Sequence, residues 1–453
     1  MYERFFKSFL FPLYETVIKR RSTLSYLKSL NANQWMSKAA LEETQWRDLK
    51  LLLAHAYENS PYYRDLFDEL KITPEDIESP LDFQNFPICN REDVVANSEK
   101  MVADNYKNRT IRKSTGGSTG KPVHFALDQN SYEWRMATTQ RGYGWAHCEA
   151  GSKTLYIWGV DVGNPTRWQQ FKTAIYHRAY NRKMFNCFDF DDEEMLRCIE
   201  YINKKKPNGI VAFTSAVYNL AKFIASHKLS VHPVPSVITG AEKLYDHQRE
   251  LIEDIFGGKV FNTYGCREFM LIAAECEEHE GLHVSMDNLF VEIIKDGKPA
   301  APGESGDVVV TDLHNYGMPF IRYKNGDIAV QGGESCSCGR GLPLIKNVDG
   351  RKLDEIVATD GKVVSGGFFP HLMKEFKEVE KFQVIQTAKD KLQIKLILNQ
   401  QFPDSQIETC KEEIWKVLGR DMDIHMDIVP EIPLTPAGKF RVTISKIANQ
   451  TGS

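Results

Sequence analysis

The sequence contains no apolar run approaching the twenty or so residues that a membrane-crossing helix needs, so no transmembrane segment is expected. Its most apolar end, MYERFFKSFLFPLYETVIKRRS, is interrupted by Glu3, Lys7, Pro12 and Glu15 before a signal-peptide core can form, and a cytoplasmic location is expected. That aromatic, Arg-flanked stretch suits a helix packed on its own domain, with a membrane or partner surface as the other reading. A strong charge of either sign is also missing. A net charge of −4 supplies no concentrated basic field, so no nucleic-acid partner is expected. Nine cysteines in 453 residues do not make a disulfide framework. There is no internal repeat, and no G-x-S-x-G stands between a strand and a helix, which disfavours Ser-His-Asp chemistry.

What is present is enough apolar residue, 42%, for ordinary globular cores, and a chain too long for one core to keep growing. Residues 1 to 100 have the spaced apolar positions of helices, with a stop at Ser60-Pro61. From about 150 the β-rich runs TLYIWGV, GIVAF, PSVIT and KVFNTYG alternate with helical stretches such as DEEMLRCIEYINKKK and YDHQRELIEDIF. That alternation predicts an α/β sheet with helical crossovers and ligands gathered at the strand ends. Residues 282 to 330 read as a smaller, mainly β unit around a Gly/Pro-rich turn, and the last hundred residues as a compact tail with β runs at 381 to 398 and a helix near 405 to 418.

One loop asks for an anion. KSTGGSTGKPVHF, residues 113 to 125, exposes backbone N–H groups through its glycines while its Ser and Thr hydroxyls add donors. It is not a P-loop, because Thr115 stands where the first glycine is required and Pro122 where the magnesium-binding hydroxyl belongs.

Six segments in fixed order carry a resemblance over nearly the whole chain: STGGSTGKP (114–122), TGAEKL (239–244), YGCREF (264–269), IRYKNGDIA (321–329), GRKLDEIV (350–357) and PLTPAGKFR (433–441). Together they resemble the adenylate-forming enzymes, in the phenylacetate–CoA ligase-like branch that includes capsule-biosynthesis proteins of the CapK type. The resemblance implies a large N-terminal domain, residues 1–350, with helix-flanked sheets and a β-barrel-like subdomain. A small mobile α+β lid, residues 351–453, would follow it.

The same resemblance implies roles for particular residues. Ser114, Thr115, Gly116, Gly117, Ser118, Thr119, Gly120 and Lys121 would hold the β- and γ-phosphates of ATP. Gly240, Ala241 and Glu242 would receive the adenine and its ribose, and Tyr264 would stack on the base. Gly265, Cys266 and Arg267 complete that motif, with Arg267 standing where the family usually has Thr or Ser, a mark of the capsule-type branch. Glu268 would be a magnesium ligand, since a hard cation takes carboxylate oxygen. Asp327 would accept hydrogen bonds from the ribose hydroxyls, and Arg351 would reach the ribose or phosphate from the other side. The hinge residue stays open, because Leu353 occupies the usual Asp or Lys position between Lys352 and Asp354. Lys439 would close over the α-phosphate during adenylation.

Two further segments suggest a metal. ECEEHEGLHVSMD offers Cys276, His279 and His283, and ESCSCGRG offers Cys336 and Cys338, a set that suits tetrahedral zinc in a reducing compartment. With the order seen in related ligases, the resemblance implies Cys276, His283, Cys336 and Cys338 as zinc ligands, with His279 in reserve, in a β unit at about 270–345. Aromatic candidates for the acid pocket are Trp134, Tyr143, Trp158, Phe213 and Tyr218. The function implied is ATP-dependent activation of a small carboxylic acid followed by transfer to coenzyme A. Transfer to an amine or hydroxyl in capsule or exopolysaccharide synthesis is an alternative, and a nucleotide-binding protein without turnover is a third. The oligomeric state is left open, a homodimer included.

Overall fold

The structure, a computed structural model, describes residues 2–114, 123–159, 166–187, 190–351, 356–361, 363–364, 368–373, 376, 378–433 and 442–447. The chain divides into two compact units at Asp349–Gly350. Among the described residues no helix is long and apolar enough to cross a membrane.

The first unit opens with helices. Lys38–Asn59 begins where the Ser37 side chain accepts the Ala40 N–H at 3.3 Å and ends one residue before Ser60. It buries Leu41, Leu49, Leu52, Leu53 and Ala56, a stripe with helical spacing. Pro61 starts the next helix, Pro61–Leu70, at the one place where a missing N–H costs nothing. These helices are pinned as well as packed. Gln45 donates to the carbonyls of Met286 (2.8 Å) and Leu289 (2.9 Å), and the buried Tyr63 hydroxyl donates to Pro319 O (3.0 Å) while accepting Ile321 N–H (3.1 Å).

Next comes a hairpin of β1 (Ile111–Ser114) and β2 (His124–Leu127), antiparallel with Ser114 opposite His124. The helix Gln129–Trp145 follows it. Parallel strands then alternate with helices: β3 (Thr154–Trp158), β4 (Arg182–Asn186), β5 (Gly209–Phe213), β6 (Ser236–Gly240) and β7 (Lys259–Cys266). The apolar runs of β5 and β6 are buried along their length, as strands covered on both faces must be.

After β7 the chain reverses. The strands are β8 (Met270–Glu275), β9 (Leu282–Val284), β10 (Leu289–Lys295), β11 (Lys298–Pro299), β12 (Ser305–Asp312), β13 (Tyr323–Gln331) and β14 (Leu344–Arg351). Here β7–β8, β8–β9, β9–β14, β10–β11, β10–β12 and β12–β13 pair antiparallel. All twelve strands from β3 to β14 join one sheet, ordered β11-β10-β12-β13-β14-β9-β8-β7-β6-β5-β3-β4. The unit read from the sequence as separately β therefore continues the α/β sheet through the β7–β8 pairing.

Three buried ion pairs cross-link this unit. Arg141 meets Asp287 through two hydrogen bonds, the second at 2.9 Å, and Arg322 meets Glu292 at 3.0 and 2.9 Å. Arg135 pairs with Asp312, both side chains fully buried.

In the second unit β17 (Val379–Ala388), β18 (Lys391–Leu398), β19 (Asp423–Ile428) and β20 (Thr443–Ser445) form a sheet ordered β19-β18-β17-β20, preceded by the short pair β15 (Ile356–Val357) and β16 (Val363–Val364). The helix Asp404–Leu418 presses Cys410, Ile414 and Leu418 into a core with Val384, Leu392, Ile394 and Leu396. Gln386, fully buried, donates to Val357 O (2.7 Å) and accepts its N–H (2.9 Å), tying β15 to that sheet.

Removing one partner of a fully buried pair strands the other charge away from water. Asp312→Ala is expected to cost the first unit about 3–5 kcal/mol in urea unfolding followed by tryptophan fluorescence. A loss below about 1 kcal/mol would show that water or another group already solvates Arg135.

Candidate functional site

The parallel strands run β4-β3-β5-β6-β7, so the order reverses between β3 and β5. A crevice opens at such a reversal, outside the carboxyl ends of the strands. Trp158 ends β3 and Phe213 ends β5, and their rings meet edge to face with centroids 4.6 Å apart.

The next two strand ends bring the sequence-selected residues together. Thr239 of β6 lies opposite Asn262 of β7, and the Thr263 hydroxyl donates to Thr239 O at 2.7 Å. Gly240 and Ala241 therefore leave the sheet alongside Tyr264. A Cβ on Gly240 would stand 2.7 Å from Thr263 Oγ1 and 3.6 Å from the Trp158 ring. Ala241 is left-handed, with φ +67°, a conformation that costs an alanine energy and that its surroundings must enforce. Glu242 turns its carboxylate to the Ser215 N–H (2.7 Å), capping the helix Thr214–Ser226.

Tyr264 is the centre of a hydrogen-bonded set. Its hydroxyl donates to Asp327 Oδ2 (2.9 Å) and accepts from Asn325 Nδ2 (2.8 Å), which also reaches Asp327 Oδ2 at 3.1 Å. The Asp327 N–H closes back on Asn325 Oδ1 (3.0 Å) across Gly326, whose φ of +84° suits glycine. Burial, and then the Asp327 carboxylate, push the Tyr264 phenol well above its ordinary range, so it stays a donor. The same two influences, burial first and then the carboxylates of Glu268 and Asp327, raise the Cys266 thiol.

Between β7 and β8 the chain turns sharply, with a register shift at Tyr264/Gly265. A Cβ on Gly265 would lie 1.9 Å from Met270 O, so no side chain fits there. The turn leaves Arg267 exposed and Glu268 buried. The Glu268 carbonyl accepts a hydrogen bond from the buried Arg135 guanidinium. Ser114 ends β1; Thr115, Gly116, Gly117, Ser118, Thr119, Gly120 and Lys121 lie outside the described residues, as do Lys352, Leu353, Asp354 and Lys439. Arg351 is the last residue of β14.

A second cluster lies on β9 and the loops around it. The ligand atoms of Cys276, His283, Cys336 and Cys338 all fall within 4.8 Å of one another. Cys276 Sγ and Cys336 Sγ are 3.7 Å apart, and Cys338 Sγ is 3.3 Å from His283 Nε2. Zinc–thiolate bonds of about 2.3 Å in a tetrahedron give sulfur–sulfur edges of about 3.8 Å, so the spacing fits that ion. His283 Nδ1 faces Leu342 O at 3.1 Å, which presents Nε2 to the cluster, as a metal-bound imidazole requires. Burial lowers the His283 pKa and favours the neutral ring. Burial raises Cys276 and Cys336, whereas at Cys338 the N–H and guanidinium of Arg340 outweigh burial and lower it. His279 instead faces the Glu275 carboxylate at 3.2 Å.

Of the aromatic candidates, Trp134 is stacked between Tyr26 (4.5 Å) and His314 (4.0 Å), and Tyr143 is packed against a small core with Tyr156. Tyr218 lies against His247. Only Trp158 and Phe213 of that group stand at the strand-order reversal. Two residues were not foreseen. Asn325 belongs to an Asn-Gly pair that reads as a turn, and Arg135 sits in mid-helix with partners more than 130 residues away.

The fold is that of the adenylate-forming ligases: 2-hydroxyisobutyryl-CoA ligase in its postadenylation state with 2-HIB-AMP superposes with a TM-score of 0.71 over 91% of both chains, at 18% identity. Residues 356–446 match the family model described as the CapK C-terminal domain. The chain is a homologue of protein CapK from Staphylococcus aureus, 23% identical over 400 residues that cover 86% of each chain. It is also a homologue of the phenylacetate-coenzyme A ligase of Pseudomonas putida, 26% identical over 66% of this chain and 68% of that one. The resemblance read from the six segments is borne out.

Of the two described site glycines with neighbours close to an added Cβ, Gly265 has less room than Gly240. Gly265→Ala drives a methyl group into a backbone carbonyl, and about 1–3 kcal/mol or more of destabilisation is expected in denaturant unfolding, with the β7–β8 register disturbed. An alanine variant as stable as the parent would mean that Met270 O can move aside.

Proposed function

We propose that the protein is an ATP-dependent, AMP-forming acid–thiol ligase, which makes an acyl-adenylate and passes the acyl group to coenzyme A. The observation that carries this reading is the hydrogen-bonded Tyr264–Asn325–Asp327 set, with Tyr264 and Asp327 buried as Glu268 is, near the Gly240–Ala241 backbone in a chain homologous to phenylacetate–coenzyme A ligases. Adenine lies between the Gly240–Ala241 backbone and the Tyr264 ring, with Glu242 at its rim, and Asp327 accepts the ribose hydroxyls. Residues 114–121 hold the β- and γ-phosphates, with Gly265, Cys266 and Arg267 on the phosphate side and Arg351 at the ribose. The acid lies in the crevice at Trp158 and Phe213.

In the first step a carboxylate oxygen of the acid attacks the α-phosphorus and the bond to pyrophosphate breaks. Lys439 stabilises the negative charge that builds on the oxygens in flight. Glu268 holds magnesium, which when bound neutralises phosphate charge. In the second step the thiol of coenzyme A attacks the acyl carbon and AMP leaves.

Cys276, His283, Cys336 and Cys338 hold zinc, whose role is structural, because four protein ligands leave no open position. The chain's similarity to CapK over 86% of both lengths, and the CapK C-terminal domain match, favour a second reading in which the acceptor is an amine or hydroxyl.

The test is pyrophosphate release from ATP and magnesium across aryl, fatty and amino acids, with and without coenzyme A. Stimulation by an acid supports adenylation, and a thioester product names coenzyme A as acceptor. An acid-stimulated rate that coenzyme A leaves unchanged selects the second reading. ATP binding without release from any acid would leave a nucleotide binder without turnover. Lys439→Ala is expected to keep ATP affinity while losing about a hundredfold or more of acid-dependent release; an unchanged rate removes that lysine from the chemistry. Elemental analysis is expected to find one zinc per chain, absent from Cys336→Ser together with a lowered melting temperature. Metal-free protein with the parent's stability would contradict the zinc assignment.

A further inference from the structure

The N-terminal segment packs against the helix Arg167–Ala179. Phe6 and Phe11 are buried with Tyr180, Tyr14 packs 6.3 Å from Tyr176, and the Tyr2 hydroxyl donates to Ala179 O at 2.5 Å. The segment winds with π-helical turns over Phe6–Leu10 and Leu13–Ile18, so side chains four to five residues apart share a side. One side turns inward with Phe6, Phe11 and Glu15.

The opposite side is exposed. Phe5, Phe9 and Leu13 follow one another at that spacing, with Phe5 and Phe9 51% and 55% exposed and their rings stacked at 5.6 Å. The helix Arg167–Ala179 repeats the pattern with Trp168, Phe171 and Ile175, spaced to share one face. Trp168 is 61% exposed. Nine of the sixteen exposed large hydrophobic side chains among the described residues belong to these two elements, which is clustering rather than the usual scatter.

Charge is gathered at the same place. Residues 1–21 and 167–179 contain eight Lys and Arg against two acids, in a chain whose net charge is −4. Both acids are engaged locally: Glu3 with Lys7 at 2.9 Å, and the buried Glu15 with Arg21 at 3.5 Å. Lys172 lies 5.0 Å from the Trp168 ring, so cation and aromatic share the exposed face.

We propose that these two elements form a docking surface for an anionic lipid bilayer, with the aromatic and aliphatic side chains entering the interfacial layer and the basic residues binding headgroup phosphates. An exposed apolar row bordered by Lys and Arg is the composition of an element that lies on a membrane rather than crosses it. The excess of positive charge also argues against a second copy as occupant, since two such faces repel. The inference stands apart from the ligase reading and adds a location to it.

The experiment is co-sedimentation of the full chain with vesicles of phosphatidylcholine alone, or with a third of the lipid replaced by phosphatidylglycerol. Binding about tenfold or more tighter to the anionic vesicles, weakened by salt, is expected. Brominated lipid should quench tryptophan fluorescence, and Trp168→Phe should remove most of that quenching. The triple variant Phe5→Ser/Phe9→Ser/Trp168→Ser and, independently, Lys172→Glu/Arg178→Glu should each lose about tenfold or more of the binding while keeping the parent's circular dichroism and melting temperature. No binding, equal binding to both vesicle types, unaffected binding by folded variants, or self-association that the triple variant abolishes in place of lipid binding would each overturn the proposal.

Discussion

Arg135 holds together three parts of the first unit that are distant in sequence. Its guanidinium donates to Asp312 at the end of β12, to the main-chain carbonyl of Glu268 in the β7–β8 turn and, through Nε at 3.1 Å, to Ser131 Oγ one helical turn away. All of this is sealed from solvent, with the Phe269 ring 5.9 Å from the guanidinium carbon. A charge in that position is tolerable only while each donor is matched, because an unpaired buried ion costs several kcal/mol, about as much as a domain's margin of stability. The same bonds that keep the core viable therefore fix the backbone of Glu268. Stability and site geometry depend on one group.

From that anchor the rest of the site follows by covalent geometry and register. Glu268 is held, the Gly265 turn admits no alternative, and Tyr264 is placed one residue before it on the last parallel strand. The β6–β7 register then sets Gly240 and Ala241 beside Tyr264, and the antiparallel half of the sheet returns Asn325 and Asp327 to its hydroxyl. The left-handed Ala241 is a second sign of constraint, since strain of this kind persists only where surroundings over-determine the backbone.

Much of this was legible in the sequence, and the exceptions have a common cause. The GIVAF run coincides with β5, and the helices at 192–205, 246–256 and 404–418 follow their apolar spacing closely, because local periodicity reports burial directly. The motif segments led to Tyr264, Glu268 and Asp327. Long-range pairing was not legible. Nothing near Arg135 announces Asp312, nothing in the Asn-Gly turn announces Tyr264, and the continuity of the two halves of the sheet through β7–β8 depends on a pairing that composition does not record. The Cys/His cluster is intermediate: its residue types suggest a metal, but the C-x-C pair is completed by residues some sixty positions earlier.

Under the proposed function Asp327, oriented by Asn325 and Tyr264, binds the ribose of an adenylate. The most direct test is exchange of labelled pyrophosphate into ATP, which reports adenylate formation whatever the acceptor, in the parent and in Asp327→Ala. Magnesium- and acid-dependent exchange is expected in the parent, with a loss of about tenfold or more in the variant, the weight of hydrogen bonds to a charged group. Exchange undiminished in a folded Asp327→Ala protein, or absent from the parent with every acid while ATP still binds, would contradict it.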